Sequence, residues 1–202
     1  MKLYYAQKSP FVRKVLVVAN EIGIAEKLDM LDCSTTTPIN PDRSNPNPLS
    51  KLPAIELDDG TLLFNSPVVC EYLDAEFGDG SIFPSGPPAK WTSLRLQALA
   101  DGLLDAAVLL RYETHLRPEN LRWNEWATGQ MGKIDGALAD MESHAASYDD
   151  RVDIGTISVA CAVAYLDFRY KEKNWRAACP KLEAWYGTFV KRPSMQATQP
   201  PE

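Results

Sequence analysis

Short apolar runs separated by turn residues characterise the first part of the chain. Lys2 to Tyr5 has strand character, and Ser9-Pro10 then favours a helix start, because serine caps free N–H groups and proline needs no donor at the first helical position. Apolar residues at helical spacing predict a helix from Phe11 to Glu21, and Leu28 to Leu31 predicts a second strand. This order predicts two parallel strands joined by a right-handed crossover.

A second block of strands lies between Ser50 and Asp74. Ala54 to Leu57 and Leu62 to Phe64 have strand character, and Asp58-Asp59-Gly60 between them predicts a hairpin turn, since glycine accepts positive φ. Ser66-Pro67 repeats the helix-start signal, so we expect a helix with Ser66 as its N-cap. The free N–H groups of such a helix start form a natural anion site.

The chain changes character after a stretch rich in Gly, Pro and Ser. We predict a linker at 79–88, between a mixed α/β domain at 1–78 and an all-α domain at 89–202. No convincing strand follows the linker. Apolar spacing predicts four helices: Ala89 to about Tyr112, Pro118 to about Tyr148, Ile154 to Tyr170, and Pro180 to about Lys191. The tail from Ser194 is predicted to be irregular.

The helix from Ile154 to Tyr170 is apolar on several faces, as expected for a helix at the centre of a bundle. Asp153 precedes it and can cap the first-turn N–H groups, while Thr156 can return a hydrogen bond to the Asp153 backbone. We interpret this capping box as a folding feature and not as a catalytic site.

Composition and charge narrow the class of protein. The 202 residues are 45% hydrophobic and 24% charged, as in globular proteins, and no apolar run approaches the ~20 residues of a membrane-spanning helix. A net charge of -6 argues against nucleic acid as the main partner, since phosphate binding relies on clustered Lys and Arg. The first residues lead into a strand without a signal peptide, so we expect a cytoplasmic protein without a membrane partner.

The cysteines and histidines show no metal-binding spacing. His115 and His144 are far apart and are predicted at the surface or at helix ends, and no metal site is expected. None of the four cysteines is in CxxC spacing, so we predict reduced, structural thiols at Cys33, Cys70, Cys161 and Cys179.

Several short motifs, in this order, resemble the glutathione S-transferase family over nearly the whole chain. They are Ser9-Pro10-Phe11, Leu52-Pro53, Asp59-Gly60, Asn65-Ser66, Glu71-Tyr72-Leu73, the capped helix at Asp153, and Arg192-Pro193-Ser194. The resemblance is to bacterial-type members with serine at the thiol-activating position. It implies a thioredoxin-like N-terminal domain with the glutathione site, a helical C-terminal domain that adds most of the wall for a small hydrophobic electrophile, and a homodimer. Glutathione is then a co-substrate, with no further cofactor.

The resemblance implies that Ser9 donates a hydrogen bond to the glutathione sulfur. A free thiol has a pKa of about 8.5, and a hydrogen bond to the thiolate favours the charged form that attacks an electrophile. The residues alone support another role, in which Ser9 only caps its helix, because one hydroxyl cannot fully serve a helix and a ligand at once. Cys33 is a weaker candidate for thiol chemistry.

Three further residues are implied as glutathione ligands. Pro53 would be cis, and the Leu52 backbone would pair with the cysteinyl part of glutathione; the residues alone favour an ordinary trans proline, since only about 5–6% of X-Pro bonds are cis. Ser66 would hold the γ-glutamyl carboxylate at the helix start. Asn65 departs from the commoner acidic residue, which pairs with the ligand's ammonium group. From the residues alone, Ser66 is a helix cap and Asn65 is a polar residue at the end of a strand.

Other candidate site residues follow from position alone. Lys51 and Arg43 are the nearest cations that could reach the glycyl carboxylate, although a solvated loop charge is an equal alternative. Phe11, Tyr112 and Trp123 could line the electrophile pocket, although aromatic residues at helical spacing are more often core. Two other functions stay open: a glutathione-dependent peroxidase, lyase or isomerase on the same site, and a non-enzymatic interaction protein with this fold.

Overall fold

A computed structural model describes residues 1–34 and 44–201 of the chain. Its sheet has the strand order β2-β1-β3-β4, in which β1 is parallel to β2 and antiparallel to β3, and β3 is antiparallel to β4. The strands are β1 Lys2–Tyr5, β2 Asp29–Asp32, β3 Ala54–Glu56 and β4 Leu62–Phe64. The mixed sheet with its crossover helix confirms the thioredoxin-like domain that the resemblance implied.

Helices make up the rest of the regular structure. The helices are α1 Pro10–Glu21, α2 Ser66–Phe77, α3 Ala89–Arg111, α4 Asn124–His144, α5 Ile154–Arg169, α6 Trp175–Ala178, α7 Pro180–Phe189 and α8 Pro193–Ala197. Short 3-10 turns occupy Ala25–Lys27, Glu119–Leu121, Ala145–Ser147 and Lys171–Lys173, and a π-helical turn continues α3 over Tyr112–Leu116. No helix in the described parts of the chain is long and apolar enough to cross a membrane.

Two compact units divide the structure. The first combines Met1–Ser93 with the tail from Lys191, and the second is Leu94–Val190. In the first unit α1 packs against α2, and α2 contacts β3 and β4. The second unit is helical and has α5 as its most buried element, with every residue from Ile154 to Leu166 buried. The domain boundaries at 78 and 89 stay a prediction.

The predicted capping box at the start of α5 is present. The Thr156 N–H donates to Asp153 Oδ1 at 3.0 Å, and the Asp153 N–H donates to Thr156 Oγ1 at 3.0 Å. Both residues are buried, so water cannot replace either hydrogen bond.

Replacing Asp153 with alanine is expected to lower the free energy of unfolding by about 2 kcal/mol, the upper end for loss of an N-cap, because the N–H groups of a buried helix start lose their acceptor. Urea denaturation measures this change. Asp153→Asn retains an acceptor oxygen and should keep most of the stability. Equal stability of Asp153→Ala and the parent would contradict a structural role for the box.

The predicted start of the helix from Pro118 is wrong. This helix, α4, begins at Asn124. Pro118 has an extended backbone with ψ 139°. The buried Glu113 carboxylate accepts hydrogen bonds from the Trp123 N–H at 2.7 Å and from Arg117 Nε at 2.8 Å. These contacts keep the segment before Asn124 out of the α-helix, and no local pattern in the sequence predicts them.

The tail is not irregular. It contains α8 and is joined to α1: the Arg192 guanidinium donates to both oxygens of Glu21 at 2.8 and 2.7 Å, and the Ser194 hydroxyl donates to the same carboxylate. Arg13 of α1 also donates to the Met195 carbonyl at 3.1 Å. The tail therefore supports the helix that begins directly after Ser9.

The Glu21 carboxylate predicts a pH dependence of stability. The hydrogen bond from Arg192 holds the pKa of Glu21 below its ordinary value, so the pair stabilises the fold fully above the unfolded-state pKa and loses this contribution as the pH falls through the lower folded-state pKa. Glu21→Gln is expected to lower the urea midpoint at pH 7, with a difference from the parent that shrinks towards pH 3. Glu26→Gln, on an exposed carboxylate nearby, serves as the control and should show no such pattern.

Candidate functional site

One edge of the sheet gathers the predicted glutathione ligands. Ala54 is the first residue of β3 and pairs with Tyr4 near the end of β1 and with Phe64 at the end of β4. The end of β1, the start of β3 and the end of β4 therefore lie at the same edge. The segments that leave the sheet here contain Ser9, Leu52-Pro53 and Asn65-Ser66.

Ser9 lies at the start of α1 and has a free donor. Its N–H donates to the Ala6 carbonyl at 2.9 Å, which makes a tight turn after β1. Its hydroxyl oxygen accepts the Val12 N–H at 3.3 Å, as an N-cap does. A serine hydroxyl has one O–H donor besides its acceptor lone pairs, and no described residue accepts the Ser9 O–H. Capping and donation to a ligand are thus compatible at this residue.

Leu52 and Pro53 lie directly before β3, at the edge of the sheet. The Leu52–Pro53 bond is cis, as the resemblance implied. The Leu52 side chain packs against the apolar cluster of Tyr4, Cys33 and Ala54. Among the described residues, none donates to the Leu52 C=O or accepts from its N–H. An unpaired backbone N–H and C=O of one residue beside a strand can pair with an extended peptide-like ligand.

The segment before Leu52 is held by two asparagines that the sequence analysis did not single out. The side chains of Asn45 and Asn47 are buried and donate to the Lys51 carbonyl at 3.2 and 2.8 Å. The Asn-Pro-Asn-Pro run was the available signal, because asparagine stabilises turns through its side chain. The Lys51 side chain is exposed, and Arg43 lies outside the described residues.

Asn65 and Ser66 start α2 differently from the prediction. Asn65 is the N-cap, with φ 75° and no hydrogen bond from its side chain to the helix, and Ser66 is the first helical residue. The prediction of Ser66 as the N-cap is therefore wrong. Asn65 is an exposed residue, and its backbone strain at positive φ is of the kind that functional sites hold in place.

The Ser66 hydroxyl is buried without a partner. The residue is 1% exposed, and its Oγ makes no hydrogen bond to any described residue. A buried hydroxyl that lacks a partner costs free energy, so its presence requires an explanation. Because the free N–H groups of the α2 start lie beside it, an anionic ligand such as a carboxylate would satisfy both.

The aromatic candidates for an electrophile pocket differ in exposure. Phe11 is half-buried at the start of α1, and Tyr112 is half-buried in the π-helical turn, where burial raises the pKa of its hydroxyl. Trp123 is 62% exposed. The electrophile pocket stays a prediction.

The cysteines are reduced and buried and the histidines lie at the surface near helix ends, as predicted. Cys33, Cys70, Cys161 and Cys179 are free and buried. His115 and His144 are exposed near helix ends. In residues 1–34 and 44–201 no group of three or more His, Cys, Asp or Glu side chains could hold a metal ion.

Comparison with known proteins identifies the family. Residues 8–76 match the family model of the glutathione S-transferase N-terminal domain, and residues 124–188 match that of the C-terminal domain. A curated relative, the uncharacterized GST-like protein YibF of Escherichia coli strain K12, is 30% identical over 207 residues that cover 100% of both chains.

Two solved structures of glutathione transferase family members from Pseudomonas fluorescens Pf-5 are also similar, each at 43% identity. One holds glutathione, has a TM-score of 0.95 and covers 100% of this chain and 99% of the other. The second holds S-(propanoic acid)-glutathione, has a TM-score of 0.92 and covers 100% of both chains. The fold, the order of the motifs and the full-length similarity agree, and the chain belongs to the glutathione S-transferase family.

Proposed function

We propose that this protein is a glutathione S-transferase that joins the glutathione thiolate to small electrophilic substrates. The observation that carries the proposal is the buried Ser66 hydroxyl, which lacks a partner at the start of α2. It lies at the same edge of the sheet as the free Ser9 O–H and the unpaired backbone N–H and C=O of Leu52. A tripeptide with a thiol and a carboxylate offers the complementary groups.

Each of the three positions has a distinct role in the proposal. The Ser66 hydroxyl and the N–H groups of the α2 start bind the γ-glutamyl carboxylate. The Leu52 N–H and C=O pair with the cysteinyl backbone, as an added strand would. Ser9 donates its O–H to the sulfur, while its oxygen continues to accept the Val12 N–H.

The chemistry is nucleophilic substitution or addition at carbon. The Ser9 hydrogen bond lowers the pKa of the bound thiol, because it stabilises the thiolate and not the thiol. The thiolate electron pair forms a new sulfur–carbon bond, and the leaving group departs with its bonding pair or the electrophile's π-electrons take up a proton. The bound S-(propanoic acid)-glutathione of the Pseudomonas protein supports this proposal, because it is glutathione substituted on sulfur.

Another glutathione-dependent reaction on the same site is the first alternative. A reaction through a mixed disulfide on the protein needs an accessible cysteine near the site. Position 9 is a serine, and Cys33 at the same sheet edge is 1% exposed. These two facts favour transfer over thiol–disulfide chemistry.

The second alternative is a non-enzymatic member of the family. The uncharged side chain of Asn65 favours this alternative. Its side chain is exposed and uncharged where an acidic residue would pair with the ammonium group of glutathione. Weakened glutathione binding would be tolerated in a protein that uses the fold only for interaction.

Three measurements separate these functions. They are retention on immobilised glutathione, calorimetry with free glutathione, and a conjugation assay with an activated aryl halide. Binding together with turnover above the uncatalysed rate is the expected result. Binding without turnover of any electrophile would point to the other glutathione-dependent reactions. Absence of binding at millimolar glutathione would contradict the proposal and favour the interaction protein.

The proposal also includes a homodimer located in the cytoplasm. Lys51 and Arg43 would lie near the glycyl carboxylate, and Phe11 and Tyr112 near the electrophile. The homodimer rests on the family resemblance, and the four residues rest on their positions in the sequence. Light scattering after size-exclusion chromatography tests the dimer, and a mass equal to that of a single chain would contradict it.

A further inference from the structure

Two arginines of the helical unit, near the ends of α3 and α5, lack an ion-pair partner among the described residues. Arg111 is the last residue of α3, and Arg169 is the last residue of α5. Neither forms an ion pair with any residue that the structure describes. Of the other five arginines in this unit, four form ion pairs, namely Arg95 with Asp140, Arg117 with Glu113, Arg151 with Asp153 and Arg176 with Asp167, and the fifth, Arg122, donates to the Arg117 carbonyl at 3.2 Å.

The ends of these two helices are joined. The Tyr170 hydroxyl, one residue beyond Arg169, donates to the Ala107 carbonyl at 2.6 Å. Ala107 lies about one helical turn before Arg111, so the two arginines extend from neighbouring backbone. The nearest carboxylate along α5, Asp167, is two residues away and thus on the opposite side of the helix, where Arg176 and Trp175 occupy it.

The surroundings of Arg169 leave part of its guanidinium unsatisfied. Its Nε is buried and makes no hydrogen bond among the described residues. The guanidinium carbon lies 3.9 Å from the centroid of the Phe168 ring, and the Tyr165 hydroxyl accepts a hydrogen bond from the guanidinium group. Burial, and next the charge of Arg111, lower the pKa of Arg169 more than the contact with Tyr165 raises it; the same two causes lower the pKa of His115.

These observations describe two neighbouring positive charges without a carboxylate partner among the described residues, and one buried N–H without an acceptor. Cations at helix C-termini are favourable in the helix dipole, which accounts for Arg169 at the end of α5. The dipole does not account for two arginines that repel each other, nor for a buried N–H without a partner. An oxyanion accounts for both, because it neutralises the pair and accepts hydrogen bonds from the planar guanidinium groups.

We propose that Arg111 and Arg169 form a binding site for the oxyanion of a small acidic ligand, a carboxylate or a phosphate. The site lies within the helical unit. Aromatic side chains beside Arg169 suit a ligand with a planar apolar part next to the charge. Benzoate and inorganic phosphate are therefore the two probes, and benzamide is the neutral match to benzoate.

Isothermal calorimetry at constant ionic strength tests the site on the full chain. Saturable binding of benzoate, with benzamide at least about tenfold weaker, is expected for a carboxylate site; binding of phosphate alone would identify a phosphate site. Arg111→Gln and Arg169→Gln should each weaken binding at least about tenfold. Arg95→Gln, on the same helix as Arg111 but paired with Asp140, should change it less than about twofold.

Three results would overturn the proposal: no binding of either anion at millimolar concentration, equal binding of benzoate and benzamide, or an equal loss in Arg95→Gln. Circular dichroism checks that each variant folds. If Arg169→Gln does not fold, Arg169→Lys keeps the charge but lacks the planar fork, and a loss of benzoate binding in this variant and in Arg111→Gln carries the test.

Discussion

Ser9→Ala is expected to lower kcat for glutathione conjugation about 10- to 100-fold at neutral pH, with little change in the KM for glutathione. A hydrogen bond to a charged group is worth about 1.5–3 kcal/mol, and this one acts on the sulfur and not on the peptide part of the ligand. The pKa of the bound thiol should rise by about one to two units, since one unit corresponds to about 1.4 kcal/mol.

The pH profile gives the sign of this effect. Below both thiol pKa values the rate follows the thiolate fraction, so the loss in Ser9→Ala is largest there. Above the pKa of the variant both proteins hold thiolate, and the difference shrinks. Stopped-flow titration of bound thiolate, together with steady-state kinetics across pH, measures both quantities.

Stability separates the two roles of Ser9. Loss of the hydrogen bond from the Val12 N–H should lower the free energy of unfolding by about 1 kcal/mol whether or not Ser9 acts on a thiol. Ser9→Thr keeps both the acceptor and the donor and serves as the control. A variant Ser9→Ala with lower stability but unchanged kcat and thiol pKa would reduce Ser9 to a helix cap.

Ser66→Ala is expected to weaken glutathione binding about tenfold or more, while the ligand-free protein keeps or gains thermal stability. Removing a hydroxyl that binds a carboxylate loses a charge-assisted hydrogen bond. Without ligand, the same change removes a buried polar atom that has no partner, which is neutral or favourable. Calorimetry with glutathione and thermal melting of the free protein measure the two effects.

Ser158→Ala is a matched control for Ser66→Ala. Ser158 is also a fully buried serine, but its hydroxyl donates to the Ile154 carbonyl at 2.6 Å within α5. We expect this variant to keep glutathione affinity and to show no gain in stability. If Ser66→Ala instead lost stability and kept its affinity, the hydroxyl would have a structural partner and the site assignment would be wrong.

Local signals in the sequence determined much of the secondary structure. Ser9-Pro10 starts α1, Asp59-Gly60 turns the hairpin between β3 and β4, and Asp153 with Thr156 caps α5, as predicted. In each case the determining interaction joins residues within about four positions of each other, so the sequence carries it without knowledge of the fold.

Distant residues decided the features that the sequence left open. The start of α4 depends on the Glu113 carboxylate, which accepts the Trp123 N–H, and the helical tail depends on Glu21, far away in α1. Asn65 replaces Ser66 as the N-cap, with a positive φ that no local rule for asparagine followed by serine specifies. Interactions of this kind need partners that only the folded chain brings together.

The candidate site shows the same division. The resemblance to the family named Ser9, Leu52 and Ser66 from the sequence alone, but each residue by itself had an ordinary structural role. The pairing of Ala54 with Tyr4 and Phe64 brings their segments to one edge of the sheet. Burial of the Ser66 hydroxyl and of Arg169 Nε without partners, and the proximity of Arg169 to Arg111, likewise depend on tertiary packing, because solvent access and charge proximity are properties of the folded chain.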